Sequence, residues 1–137
     1  MADRIEFELV SPERLVLARA VEMVVLPGVE GDFGALPEHA PTVAALRPGV
    51  ISVFENDKVI ERVFVAGGFA EVTPERCTVL AERAVPVAEL DRGAAEQAIA
   101  DGRDDLAEAK TDAARAAAET AIAVGEAAIA ALESNVY

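Results

Sequence analysis

Residues 77–109 read CTVLAERAVPVAELDRGAAEQAIADGRDDLAEA, and the chain changes character within them, near Pro86. Residues 77–82 have the short apolar run of a strand, whereas residues 89–109 are rich in alanine, the best helix former. Back towards the N-terminus the period is two. Ile5, Phe7 and Leu9 alternate with Arg4, Glu6 and Glu8, as on a half-buried strand. Ser11-Pro12-Glu13 reads as a turn, with strands at residues 15–20 and 21–26 after it. Pro48-Gly49 breaks the chain before a strand at 50–54, and Glu55-Asn56-Asp57 predicts a hairpin turn into 58–65. Gly67-Gly68 marks a bulge or tight bend before a strand at 69–72. Many short strands with no helix between them predict antiparallel sheets packed as a sandwich or barrel.

Forward of Pro86, helices are expected over residues 89–109 and 112–132, with Thr111 or Asp112 capping the second. Ile122, Gly125, Ile129 and Leu132 share one face of the second helix, and Leu90, Ala94, Ala98 and Leu106 form the expected face of the first. A short polar turn around residues 110–112 makes the pair an antiparallel hairpin. Alanines and Gly125 at its seam permit close approach but bury little area, so neither helix is very stable alone. Gly102 weakens the first helix by about 1 kcal/mol relative to alanine. The hairpin is therefore expected to dock on something. The fold class is α+β: an N-terminal antiparallel β-sandwich over residues 1–87, then an antiparallel α-helical hairpin over residues 88–137.

The chain has 137 residues and a net charge of −13. Residues 1–88 carry 14 acidic and 8 basic groups, and residues 89–137 carry 11 and 4, so the shorter part is the more acidic per residue. This charge argues against nucleic acid or an anionic membrane surface as a direct partner. The N-terminus has no apolar signal core, and no run approaches the roughly 18 apolar residues of a membrane span. A soluble protein without direct membrane insertion is expected. Cys77 is the only cysteine, which rules out an internal disulfide and suits a packed core thiol in a reducing compartment.

Little here carries chemistry. His39 is the only histidine, so a His-rich metal site is impossible and a Cys/His zinc site lacks ligands. His39 could serve as a base oriented by Glu38 or Asp32, but the usual companion nucleophile or cofactor is missing. Gly28-Val29-Glu30-Gly31 and Gly67-Gly68 lack the lysine and hydroxyl residue of a phosphate loop. Asp101, Asp104, Asp105 and Glu108 lack the glycine and spacing of a calcium loop, and read as a solvated helix face. No catalytic residue, metal or cofactor is expected. By contrast, residues 27–41, PGVEGDFGALPEHAP, hold three glycines and three prolines. Such punctuation gives a loop one particular shape. It is expected to present Glu30, Asp32, Glu38 and His39 to a partner.

The chain resembles the epsilon subunit of bacterial F-type ATP synthase, whose counterparts are the chloroplast epsilon and mitochondrial delta subunits. The likeness covers essentially the whole chain. It rests on Ser11-Pro12, on Pro27-Gly28 with residues 30–34, and on Pro37, His39-Ala40-Pro41 and Pro48-Gly49. Further on it rests on Gly67-Gly68-Phe69, Glu71-Val72 and residues 79–82, all in order and spacing.

The resemblance implies a non-catalytic rotor-stalk subunit at the cytoplasmic face of the bacterial inner membrane, peripheral to it. The short N-terminus favours bacteria over an organelle. Its sandwich would pack on the gamma subunit and the c-ring, with Glu30, Asp32 and His39 as c-ring contacts, coupling ring rotation to the catalytic head. When extended, the family's hairpin reaches the alpha and beta subunits and blocks ATP hydrolysis. Here the second helix carries Asp112, Glu119, Glu126 and Glu133 against Arg115 alone, so weak or lost inhibition is expected. Some relatives bind ATP through a pattern I/L-D-x-x-R-A at the first helix. Leu90, Asp91 and Ala95 match it, but Ala94 replaces its arginine and Arg92 points about 200° away. The alternatives are an ATP-sensing switch that inhibits hydrolysis, a hairpin acting as a passive clamp, and an enzyme centred on His39.

Overall fold

Alternation of apolar and polar residues turns the first part of the chain into a ribbon of ten strands in the computed structural model, which describes residues 3–134. The outermost residues of the two expected domains, 1–2 and 135–137, lie outside that range. The strands are β1 (Ile5–Ser11), β2 (Arg14–Val21), β3 (Met23–Gly28), β4 (Gly31–Ala35) and β5 (Thr42–Leu46). They continue with β6 (Gly49–Glu55), β7 (Lys58–Val65), β8 (Gly68–Val72), β9 (Arg76–Ala81) and β10 (Ala84–Pro86). A single 3₁₀ turn, Val87–Glu89, leads to the helices α1 (Arg92–Glu108) and α2 (Asp112–Glu133).

The strands pair in the order β10-β7-β6-β3-β5-β8-β9-β1-β2, with β4 hung on the other edge of β3. β3 and β5 share one register pair, Gly28↔Leu46, and there the ribbon folds over on itself. The expected sandwich is present with one difference in detail. β1 runs parallel to β9, with Phe7 beside Cys77 and Leu9 beside Val79, while the other pairs are antiparallel. Between the two leaves lies one core. Ile5, Phe7 and Leu9 of β1 meet Val24 and Leu26 of β3, Ile51 and Val53 of β6, and Val72 and Val79 of β8 and β9, all fully buried.

The turns follow their residues. Asn56 and Asp57 have φ of 51° and 61°, the left-handed pair that a two-residue hairpin turn requires. Gly68 has φ of 148°, and a Cβ there would stand 2.1 Å from the Leu80 carbonyl oxygen, so this crossing of β8 and β9 admits only glycine.

Residues 27–41 depart from the expectation of a continuous loop. Gly31–Ala35 is a strand that returns antiparallel along β3, because Phe33 and Ala35 have apolar places to fill on the sheet. Thr42–Leu46 is likewise a strand that the periodicity did not single out.

The helices form the expected hairpin. Asp91 caps α1 by accepting from the Ala94 amide (3.3 Å), and Thr111 caps α2 by accepting from the Ala114 amide (3.0 Å). Leu90 and Asp91 thus precede α1. Its buried face is Ala95, Ile99 and Gly102, one position round from the expected Leu90, Ala94, Ala98 and Leu106. Ile99 is the only large apolar residue between Leu90 and Leu106, so the seam centres on it. The packing is reciprocal. A Cβ on Gly125 of α2 would meet Ile99 Cγ1 at 2.6 Å, and one on Gly102 of α1 would meet Ile122 Cγ1 at 2.8 Å. α2 then lies on the outer face of β6 and β7, where Phe64 and Val50 pack with Val87, Ala128 and Ala131.

Gly125→Ala sets the better helix propensity of alanine, about 1 kcal/mol, against overpacking of about 1–3 kcal/mol. The clash wins, because the new methyl also stands 3.1 Å from the Ala95 carbonyl oxygen, which is backbone. The expected outcome is faster hydrogen exchange in α1 and α2 with unchanged exchange in β1 and β9.

Candidate functional site

The residues singled out in the sequence fall into two places. Glu30 stands exposed in the turn between β3 and β4, which Gly28 and Gly31 close as a register pair. That hairpin tip is pinned from the side. Arg47 Nη2 donates to Asp32 Oδ1 (2.5 Å) and Arg47 Nη1 to the Gly28 carbonyl (2.5 Å), while the Arg47 amide donates to Pro27 O (2.9 Å). The Val29 amide donates to Ala45 O at 3.0 Å. The tip is therefore presented on a fixed frame, with one carboxylate neutralised and Glu30 at its end.

His39 is elsewhere. It follows β4, roughly 15 Å along the strand from the tip, and its Nδ1 lies 2.5 Å from the Ala40 carbonyl oxygen. Its amide donates to Leu36 O, and the neighbouring Glu38 amide donates to Pro74 O in the β8–β9 connection. The structure thus joins Glu30 with Asp32 but not with His39. Neither Asp32 nor Glu38 orients the imidazole, because a backbone carbonyl takes that place.

Leu90, Asp91, Arg92 and Ala95 surround the start of the first helix. Arg92 reaches Glu133 Oε2 at 3.0 Å and Glu96 Oε1 at 3.8 Å, pairs within the hairpin itself. Ala95 is buried against α2, and Leu90 packs on the same cluster. A cavity of about 190 Å³ lies beside them, lined by Arg83, Glu89, Ala94 and Val124 among others, with Arg92 outside it. Small-molecule sites are about 300–1,000 Å³, so this one is short of a nucleotide's needs and has one arginine against two carboxylates, Glu89 and Asp91.

One exposed apolar surface was not singled out as a site. On the outer face of the leaf opposite the hairpin, Ala45, Phe69, Leu80, Val10 and Leu15 are successive cross-strand neighbours over β5, β8, β9, β1 and β2. Phe69 is 59% exposed, Leu80 58% and Leu15 55%, and Val43 beside the row is 73% exposed. Apolar side chains aligned across a sheet and left to solvent mark an interaction surface. The signal was present in β5, β8 and β9, which carry apolar residues on both faces where a half-solvated strand alternates. Among the described residues no cluster of three or more His, Cys, Asp or Glu could hold a metal. Cys77 is fully buried, and burial pushes its thiol up to about 12, which makes it a core residue and no nucleophile.

Comparison with known proteins agrees with this architecture. Residues 4–87 match the family model of the ATP synthase Delta/Epsilon chain, beta-sandwich domain. The chain is 57% identical over 105 residues to the ATP synthase epsilon chain of Rhodospirillum rubrum, covering 75% of this chain and 78% of that one. It is 59% identical over 96 residues to the epsilon chain of Paramagnetospirillum magneticum, covering 70% and 72%. Among solved structures, a chain of the Euglena gracilis mitochondrial ATP synthase (OSCP/F1/c-ring) superposes with a TM-score of 0.81 at 27% identity, covering 96% of this chain and 83% of that one. A chain of the Tetrahymena thermophila mitochondrial ATP synthase central stalk and c-ring shares the fold, with a TM-score of 0.62 at 16% identity over 93% and 96% of the two chains. The chain belongs to the ATP synthase delta/epsilon family. Within that family its place is that of the epsilon subunit. No described helix is long and apolar enough to cross a membrane.

Two outcomes follow from these contacts. Arg47→Ala frees the tip, so exchange of the residue 28–34 amides accelerates while the melting temperature moves little, the Arg47–Asp32 pair being largely exposed. For Cys77, the unfolded chain releases the thiol proton near 9.0 and the folded chain near 12. Between those values the folded state holds more protons, so stability falls as pH rises. In Cys77→Ala the slope of unfolding free energy against pH above 9 should be shallower, whatever its absolute level.

Proposed function

We propose that this chain couples the rotor of an F-type ATP synthase. Its exposed apolar leaf docks on the gamma subunit and its β3–β4 tip faces the c-ring. The observation that carries this reading is the row Phe69–Leu80–Val10–Leu15, an apolar surface on a leaf that the hairpin leaves uncovered. A sheet face of this kind buries well against a helical partner, and Glu71, next to the row, favours a partner with a basic rim, whereas Glu8 is already paired with Arg76 at 3.3 Å. Glu30 supplies an exposed carboxylate on a braced turn, suited to cationic loops. Asp32, already bound to Arg47, acts through the shape of the tip, and His39 contributes to a separate edge of the contact. With these partners the chain is a peripheral subunit at the cytoplasmic face of the bacterial inner membrane.

The hairpin, residues 88–137, is a clamp on the sandwich and a weak inhibitor or none. Its docked position, the four carboxylates of residues 112–133 against Arg115, and the commitment of Arg115 to Asp112 (3.2 Å) all support this. They do not favour insertion between the gamma subunit and the catalytic subunits. The ATP-sensing alternative is disfavoured by the small cavity and by Arg92 being held on Glu133.

The test measures ATP hydrolysis by a reconstituted catalytic head with no added chain, with the full chain, and with residues 1–88. Both forms should bind alike and leave hydrolysis nearly unchanged, and Phe69→Asp with Leu80→Asp should weaken binding at least a hundredfold. Strong inhibition by the full chain alone would overturn the clamp reading. Unimpaired binding by the double variant would overturn the assignment of the face.

A further inference from the structure

α2 ends badly by its own sequence. The last four carbonyls of a helix have no intrahelical partner and carry its negative dipole end, which favours a cation. The last turn of α2 has no basic residue and ends on Glu133. The cation comes from the sheet. Arg62 of β7 donates from Nη2 to the Ala131 carbonyl oxygen at 3.3 Å. Arg62 enters none of the ion pairs among the described residues. Among the described residues its buried Nε has no partner, and it lies across the strands from Ser52, which is fully buried with its hydroxyl likewise unpartnered. A guanidinium so placed feels the carbonyl dipoles of the helix end with little competition.

The geometry points to Arg62 as a cross-element cap: the last turn of α2 is ordered through the sheet, and this contact straps the hairpin down in a salt-sensitive way. Three features make it so. The apolar part of the docking is small-residue packing, with Ala127, Ala128 and Ala131 under Phe64 and Val50. Arg92, paired with Glu133 at this end, joins α1 to α2 and so moves with the hairpin. A cavity of about 410 Å³, lined by Arg47, Arg62, Ala130 and Ser134 among others, opens beside the contact and admits solvent ions to it. Lifting the hairpin therefore removes the cap and frays the last turn, which ties helix length to docking. The strap belongs to the isolated chain and stands apart from the assignment of partners.

The experiment is residue-resolved hydrogen exchange on the full chain and its Arg62→Gln variant, at low salt and at about 1 M salt, where charges are screened beyond about 3 Å. At low salt the variant should exchange about tenfold faster at residues 128–134, with β1 and β9 unchanged. At high salt the parent should approach the variant. Adding Ala130→Lys to Arg62→Gln should restore protection of the last turn but leave Phe64 as exposed as in the single variant. Equal exchange in parent and variant at low salt would overturn the proposal, as would acceleration spread evenly over the sandwich, or a parent indifferent to salt.

Discussion

A single apolar layer between the two leaves governs the rest of this structure. Every strand that reaches it contributes alternate residues, and the fold-over at Gly28 and Leu46 brings both leaves onto the same core. Phe7, Leu9, Leu26, Ile51 and Val79 have no exposure at all. At the few tens of cal/mol per Å² that apolar burial is worth, this layer outweighs any surface ion pair. Once it is filled, the outer faces of the leaves are free to differ.

One outer face is covered and the other is bare. Over β6 and β7 the side chains are Phe64, Val50, Arg62 and Ser52, a short apolar patch with a cation beside it, and α2 lies there. Over β8, β9 and β1 the row of Phe69, Leu80 and Val10 is longer and carries none of the described elements of this chain. The hairpin gains its internal order from two glycines that let an isoleucine of each helix seat on the other. It gains less from the sheet, because alanine has little to bury. The hairpin is thus tightly paired within itself and more lightly held to the sheet.

Much of this was legible in the chain. The switch from period two to alanine-rich helix near Pro86 separates the two modules, the Glu55-Asn56-Asp57 turn takes its expected form, and Gly125 sits in the seam. β4 and β5 were not legible, because glycines and prolines over residues 27–41 mask strand propensity, and pairing with β3 and β8 overrides it. The α1 face was misread by one position, since alanine on every side leaves the period weak and Ile99 alone decides. The candidate site was legible only in part. Glu30 and Asp32 are close in sequence and in space, but sequence proximity to His39 meant nothing once residues 31–35 extended as a strand.

By itself the sequence determined which segments alternate and which wind, where the second helix is capped, and the acidic balance of the hairpin. These are local properties, set by side-chain period, backbone punctuation and charge. Tertiary structure decided which of two apolar faces is core and which is surface, that β1 lies parallel to β9, and that Arg62 meets the end of α2. The last two join residues about 70 positions apart in the chain, and cross-strand register, which sets which side chains align, is fixed only when both leaves close on one core.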